Sequence, residues 1–386
     1  MLHILADENI LFAEEAFGAL GEVRLMPGRA IKAEAAREAD VLLVRSVTPV
    51  GPALLDDADV QFVGAATAGT DHVDVGFLRE RGISFAHAPG SNATSVVEYV
   101  LAALLRLAVR RGEPLRGKTV GVVGVGAVGG RLARRLPSFG ARVLRNDPPR
   151  VERESEESFA SLRAVLHESD VVTLHTPLTV EGSHPTHHLI GPSELNQMKD
   201  SAWLVNAARG AVVSGDALRA ALRTGKIAAA VVDAWENEPT PDLELLRRVS
   251  LATPHVAGYS FDGKVAGTVM LHRALCEHLG AEPSWDHEAV LAPDVPLDLA
   301  PSDPALPEAD ALNWLARQMY DVGADDERLR GLTERPESVR GVYFSKLRKT
   351  YPRRRAFGRY RLPRWGLPDG EAAMTAVEEG LGVAVA

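Results

Sequence analysis

The chain has a single cysteine, Cys276, in 386 residues. One thiol can neither close an internal disulfide nor build a multi-thiolate metal site, and such scarcity suits a reducing compartment, so a cytoplasmic protein without a metal is expected. Aromatic residues make up only 5%, so broad stacking platforms for nucleic-acid bases are not expected. Cations are in deficit. The count of 43 Lys+Arg against 52 Asp+Glu gives a formal net charge of −9, which argues against a nucleic-acid partner. Long apolar runs are lacking too. The longest, Val96 to Val109, is interrupted by Glu98 and Arg106 and reads as a buried core helix, so no membrane association is expected. Asp7 and Glu8 fall where a secretory signal would need apolar residues.

What is present is ordinary for a globular protein: 46% hydrophobic and 25% charged residues, in a length suited to roughly two or three domains. Short apolar runs at 3–6, 40–46, 60–66 and 83–89 read as strands, with helical spacing at 12–20 and 73–82. Strands alternating with helices predict a parallel sheet covered on both faces. A connecting helix is expected over 96–111. Further strands are expected at 119–123, 141–146, 170–175, 203–206 and 229–233, which makes a second, larger α/β unit over 112–255. Residues 283–307 hold six prolines and read as a linker or loop-rich crossing. The last hundred residues carry no motif with an assignable chemistry. Within them Ser345 to Trp365 has nine Lys or Arg, four aromatics and no acid.

Gly124-Val-Gly126-Ala-Val-Gly129 is a GxGxxG turn between a predicted strand and a helix, and Asp147 stands 18 residues beyond Gly129. That is the dinucleotide fingerprint. Gly124 permits the tight turn, Gly126 lets a pyrophosphate approach the backbone, and Gly129 lets helix and strand pack closely. The helix N-terminus offers amides to the phosphates. Asp147 suits ribose hydroxyls and repels a 2′-phosphate, so NAD is expected over NADP, with Arg145 and Arg150 flanking it.

Arg209, Glu238 and His255 stand at or just beyond predicted strand ends, where open α/β sheets place their ligands. The trio suits the oxidation of a 2-hydroxy acid. Arg209 can hold a carboxylate bidentately. His255 can take the hydroxyl proton, and Glu238 can fix its tautomer by the base–orienter logic of a triad. Singly, each residue also fits a surface or capping role; the nucleotide fold favours the catalytic one. His184, His187 and His188 cluster without thiolate or carboxylate partners for zinc. His175 is expected near the nucleotide edge of the sheet, and Cys276 buried on a helix.

Val120–Gly130, His175–Thr179, Met198–Val213, Ala230–Pro239 and Thr253–Gly258 resemble the D-isomer-specific 2-hydroxyacid dehydrogenase family. Asp7–Asn9, Pro27–Ile31, Val44–Thr48, Ala65–His72, His255–Lys264 and Leu347–Phe357 resemble one branch of it, whose members oxidise a phosphorylated four-carbon 2-hydroxy acid with NAD. The resemblance implies an α/β fold with two doubly wound, Rossmann-like parallel-sheet domains and a C-terminal α+β dimerisation domain. Residues 1–95 and 256–280 would form a flavodoxin-like substrate-binding domain, 96–255 the NAD-binding domain, and 281–386 the dimerisation domain of a homodimer. It implies NAD contacts from Gly124, Gly126, Val128, Gly129, Asp147, Thr176, Ala207, Ala208, Arg209, Asp233 and Gly258. It implies substrate contacts from Ser46, Thr67 and Tyr259, and catalysis by Arg209, Glu238 and His255. Ser214 and Ala68 depart from the family pattern, the latter at the expected substrate wall.

A phosphorylated acid needs a second cation or a set of N–H donors for its phosphate. Arg45 is the first candidate. The basic run 345–365 is the second, its plainer readings being a solvated face or a dimer contact. Two other functions stay open at this stage. One is a related enzyme acting on 3-phosphoglycerate, glyoxylate or another small acid. The other is a nucleotide-sensing binding protein of the same fold.

Overall fold

The alternating apolar runs build two parallel sheets, each within its own unit of a computed structural model that describes residues 1–154, 159–292, 297–300, 306–363 and 370–385. One unit comprises Met1–Asn92 and Ser260–Asp294, the other Ala93–Tyr259 and Val295–Ala386.

In the first unit, strands β1 (His3–Asp7), β2 (Glu22–Met26), β3 (Val41–Val44), β4 (Phe62–Ala65) and β5 (Ser84–His87) lie in the order β2-β1-β3-β4-β5, all parallel. The continuous apolar β3 is buried along its length, as a strand covered on both faces requires. β2 is an edge strand, largely exposed, and its polar–apolar alternation runs over only four residues, Glu22 to Leu25. The helix Phe261–Leu279 packs Leu271 and Leu275 against Ile4, Phe17, Val41 and Phe62. Gly28 sits where any Cβ would stand 2.2 Å from Asp7 Oδ2. This close approach ties the Asp7–Asn9 and Pro27–Ile31 motifs together.

In the second unit, β6 (Thr119–Val123), β7 (Arg142–Asn146), β8 (Val171–Leu174), β9 (Trp203–Asn206), β10 (Ala229–Val232) and β11 (Leu251–Ala252) lie in the order β11-β10-β9-β8-β6-β7, all parallel. The chain places β7 on one side of β6 and then crosses to β8 on the other. That reversal makes the carboxyl ends of β6 and β8 a topological switch point, where ligands bind in such sheets. The helix Ala93–Arg111 buries fourteen of its nineteen residues, which accounts for its apolar character on all sides.

The C-terminal segment forms helices Glu308–Met319, Val322–Arg330 and Glu337–Lys349 and a small parallel sheet, β12 (Leu297–Asp298), β13 (Tyr360–Leu362) and β14 (Ala384–Val385). Leu312, Leu315, Phe357 and Val377 share one core with Val100, Leu104 and Val120. Phe344 shares another with Val232 and Leu246. The packing therefore divides the chain differently from the expected third domain over 281–386: the part from 295 onward goes with 93–259. The basic run is not a solvated face throughout, because Arg354 and Arg355 are 5% and 7% exposed. Arg364 and Trp365 of that run, and 293–296 and 301–305 of the expected linker, lie outside the described residues. No described helix is long and apolar enough to cross a membrane.

Candidate active site

The turn after β6 enters with Gly124 at φ +84°, and a Cβ there would stand 2.8 Å from the His175–Thr176 peptide that follows β8. Only glycine fits both demands. A Cβ on Gly129 would stand 1.9 Å from the Gly124 carbonyl oxygen, so this glycine lets the helix Ala127–Arg135 close onto the turn. Gly126 differs from both: a Cβ there would meet nothing within 4 Å. The protein leaves open space at the glycine that the fingerprint assigns to the pyrophosphate, beside the free amides of a helix N-terminus. Val128 is in the first turn of that helix.

Asp147 has a second task. Its Oδ2 accepts the Val125 N–H at 2.8 Å and its Oδ1 the Arg150 N–H at 3.1 Å. It shapes the glycine turn, and each oxygen keeps lone-pair capacity for a ribose hydroxyl. Arg145 and Arg150 each place a guanidinium 5.2 Å from the Phe159 ring centroid. Arg150 also donates to the Val125 carbonyl at 2.9 Å and pairs with Glu154. Thr176 Oγ1 is buried without a hydrogen-bond partner, a polar atom that a cofactor hydroxyl or phosphate would satisfy. The residues present fit NAD. His175 has both ring nitrogens out of solvent, Nε2 against Thr173 Oγ1 at 2.9 Å and Nδ1 unpartnered. Burial pushes its pKa down to about 3, so it is neutral at physiological pH.

Three neighbouring strand ends carry the expected catalytic trio: β9 leads to Arg209, β10 to Glu238 and β11 to His255. Backbone stitching brings the loops together. Asn206 Nδ2 donates to the carbonyls of Arg209 (3.0 Å) and Ala234 (3.3 Å), joining the first two loops. Gly210 packs so tightly that a Cβ would stand 2.0 Å from the Trp235 carbonyl oxygen. Trp235 Nε1 donates to the Thr253 carbonyl at 2.8 Å and joins the second loop to the third. Asp233, 1% exposed, accepts from Thr253 Oγ1 (2.6 Å), Val256 N–H (2.8 Å) and Ala257 N–H (2.9 Å). Its carboxylate thus orders the segment around His255, a role in addition to the cofactor contact expected of it. Ala207 and Ala208 line the turn before Arg209, and Gly258 follows Ala257. Asn206, Gly210, Trp235 and Thr253 were not singled out from the sequence, which places them in three separate motifs.

Glu238 receives His255 Nδ1 at 2.9 Å on Oε2 and 3.1 Å on Oε1, and Oε1 also accepts the Trp235 N–H at 2.8 Å. Burial pushes the Glu238 carboxyl up. The His255 hydrogen bond and charge, the Trp235 amide and the Arg348 guanidinium outweigh it and hold the group below the usual carboxylate range. Glu238 is therefore a carboxylate at neutral pH. Both side chains keep partial solvent access, so the pair adds little stability; its effect is orientation, leaving Nε2 as the nitrogen free to serve a substrate. His255 itself has φ +57°, uncommon for a residue other than glycine and a form of strain that clusters at functional sites. Its N–H is held by the Asp233 carbonyl at 2.9 Å. Tyr259 meets Tyr351 edge-on at 5.7 Å between ring centroids.

The remaining expected substrate residues belong to the first unit. Arg45 and Ser46 follow β3, the first half-buried and the second exposed, and Thr67 follows β4 with Oγ1 donating to the Gly69 carbonyl at 2.8 Å. Of the histidine cluster, His184 pairs with Glu152 and His188 with Glu236, each at 2.7 Å. Among the described residues no group could hold a metal ion. Cys276 is buried, its Sγ 3.6 Å from His272 Nε2.

A nucleotide cradle at the switch point, with a carboxylate-supported histidine and an arginine at strand ends of the same sheet, defines an NAD-dependent dehydrogenase. Residues 103–257 match the D-isomer specific 2-hydroxyacid dehydrogenase NAD-binding domain, and residues 302–367 match a domain described only as of unknown function. The chain belongs to this family, within the branch of the erythronate-4-phosphate dehydrogenases. It is 53% identical to the protein of that name from Salinibacter ruber, with 98% of each chain covered. It is 48% identical to the one from Azotobacter vinelandii, covering 92% of this chain and 93% of the relative. A solved D-lactate dehydrogenase from Aquifex aeolicus, complexed with NAD and lactic acid, superposes with a TM-score of 0.61 at 26% identity, over 72% of this chain and 95% of that one.

Proposed function

We propose that the chain oxidises 4-phospho-D-erythronate at C2 to (R)-3-hydroxy-2-oxo-4-phosphooxybutanoate in pyridoxal 5′-phosphate (vitamin B6) biosynthesis, as a cytoplasmic homodimer. The reading rests on the Glu238–His255 pair at 2.9 Å, at strand ends neighbouring the one that leads to Arg209, in a chain 53% identical to a protein named for that activity.

The Arg209 fork holds the C1 carboxylate and polarises the C2 oxygen. His255 Nε2 accepts the C2 hydroxyl proton as the C2–H bond breaks and the C2–O double bond forms. Glu238 keeps a proton on Nδ1 and supports the imidazolium until Nε2 releases its proton to water. Bound NAD supplies the acceptor for the hydride, held by Gly124, Gly126, Val128, Gly129, Asp147, Thr176, Ala207, Ala208, Arg209, Asp233 and Gly258. Ser46, Thr67, Tyr259 and Arg45 are assigned to the substrate.

The test is nicotinamide fluorescence on mixing the NAD-loaded enzyme with 4-phosphoerythronate, 3-phosphoglycerate or glycolate. Reduction by 4-phosphoerythronate at the highest kcat/KM is expected. Preference for either other acid would keep the chemistry and discard the substrate. Reduction by none, with NAD bound, would favour a sensor.

A further inference from the structure

The substrate proposed above carries two anionic ends, and the catalytic trio provides one arginine. Charge matching requires a second cation that is near the site and not already engaged. Most cations of the basic run fail that test. Arg354 is buried, and its Nη2 donates to the carbonyls of Ser95 (3.0 Å) and Ala257 (2.7 Å). Lys349, Arg353, Arg355 and Arg359 are not free.

Arg348 differs. It lies in the last turn of the helix Glu337–Lys349, which runs along the catalytic loop. At Gly341 a Cβ would come within 3.3 Å of Pro239 and 3.6 Å of Thr240, the residues directly after Glu238. Seven residues later, two turns on and on the same helix face, the Arg348 guanidinium stands 5.6 Å from the Tyr259 ring centroid. Its Nε is buried with no hydrogen-bond partner, and among the described residues it makes no ion pair. It is also near enough to Glu238 to favour that residue's charged form. A guanidinium that stacks on an aromatic ring and keeps its donors unmade is preorganised for a planar or tetrahedral oxyanion. Unpartnered buried donors are unusual in folded proteins and call for a ligand.

We propose that Arg348, delivered by the C-terminal helix and steadied by Tyr259, binds the phosphate of the substrate and sets the preference for phosphorylated 2-hydroxy acids. This rests on the reading that the substrate is 4-phosphoerythronate. It gives the C-terminal segment a share in specificity, and it ranks Arg348 above Arg45, the candidate suggested by the sequence.

The experiment compares wild-type, Arg348→Gln, Arg348→Lys and Arg45→Gln holoenzymes on 4-phosphoerythronate and unphosphorylated erythronate, with NAD binding and Tm measured for each. It also titrates inorganic phosphate as a competitive inhibitor. Arg348→Gln is expected to lower the ratio of the two kcat/KM values about 10- to 100-fold, chiefly through KM, and to weaken phosphate inhibition in parallel. Arg348→Lys should recover part of both, since a point charge replaces a fork. A ratio and phosphate inhibition constant unchanged in Arg348→Gln would overturn the proposal, as would a collapse confined to Arg45→Gln. Should Arg348→Gln lose NAD binding or Tm, Arg348→Met, which keeps the apolar stem and removes the charge, decides: an intact fold with wild-type phosphate inhibition and KM also overturns it. A wild-type enzyme indifferent to the phosphate would instead refute the substrate assignment.

Discussion

Replacing Gly210 by alanine tests whether loop spacing, and not merely residue identity, makes the site. A Cβ at 210 would stand 2.0 Å from the Trp235 carbonyl oxygen, 2.1 Å from its carbon and 2.4 Å from the Glu236 nitrogen. Contacts below 3.0 Å do not persist, so the two loops must part by about 1 Å. The Trp235 side cannot yield readily. Its indole is bonded to the Thr253 carbonyl at 2.8 Å, and Glu236 is held by His188 at 2.7 Å and by the Gly215 N–H at 2.9 Å. The displacement therefore falls on Arg209, the adjacent residue, and shifts its guanidinium from its present place, where Nη1 donates to the Ala208 carbonyl at 2.9 Å. A misplacement of about 1 Å costs on the order of 100-fold in rate, while overpacking costs about 1–3 kcal/mol of stability. Steady-state kinetics with 4-phosphoerythronate should show Gly210→Ala losing kcat about 100-fold. NAD affinity, set by the β6–β8 turns, should change far less, and Tm should fall by several degrees. A variant with kcat within a few-fold of wild type and an unaltered Tm would refute the argument that this close approach positions Arg209.

Gly126→Ala should leave Tm unchanged, because its Cβ meets nothing within 4 Å, yet weaken NAD binding by about 10-fold or more if that space takes the pyrophosphate; isothermal titration checks both. Asp147→Ser should raise the NADP-to-NAD ratio of kcat/KM and also loosen the turn, since Asp147 accepts the Val125 and Arg150 amides; an unchanged ratio would remove it from the ribose site. His175 gives a stability signature. Its pKa is depressed from 6.5 to about 3 in the fold, so between these values the unfolded chain binds a proton that the native one does not. Stability should therefore fall as pH drops below 6.5, by about 1.4 kcal/mol per unit at most, and His175→Asn should flatten urea-derived stability against pH across that window. Glu238→Gln should lower kcat by about 100-fold or more while leaving NAD affinity near normal; near-normal kcat would deny it the supporting role.

Much of the fold was legible because buried parallel strands are written as apolar runs. Val41–Val44 and Thr119–Val123 declare themselves. β2 did not, since Glu22–Met26 lies at an exposed edge and alternates polar and apolar residues over only four positions. Nor did β11, which is two residues long. Arg209, Glu238 and His255 could be named as candidates from residue type and order. What could not be read was the means of bringing them together: a clash-tight glycine at 210, a carboxamide at 206 and an indole at 235, each acting across loops distant in sequence. The C-terminal segment was opaque for the same reason. Arg354 bonds the carbonyl of Ser95, 259 residues away, and no local pattern encodes that contact. The same holds for Arg348, whose meaning lies in Tyr259.

In the proposed reaction hydride leaves C2 while His255 takes the hydroxyl proton. The most direct measurement is a single turnover of the NAD-loaded enzyme with C2-deuterated 4-phosphoerythronate, read by nicotinamide fluorescence and mass spectrometry, in wild type and His255→Asn. Deuterium recovered in the reduced nicotinamide, a primary isotope effect on its appearance, and a rate about 100- to 10,000-fold lower in His255→Asn are predicted. Deuterium released to solvent, or a His255→Asn enzyme that reduces NAD at the wild-type rate, would contradict the account.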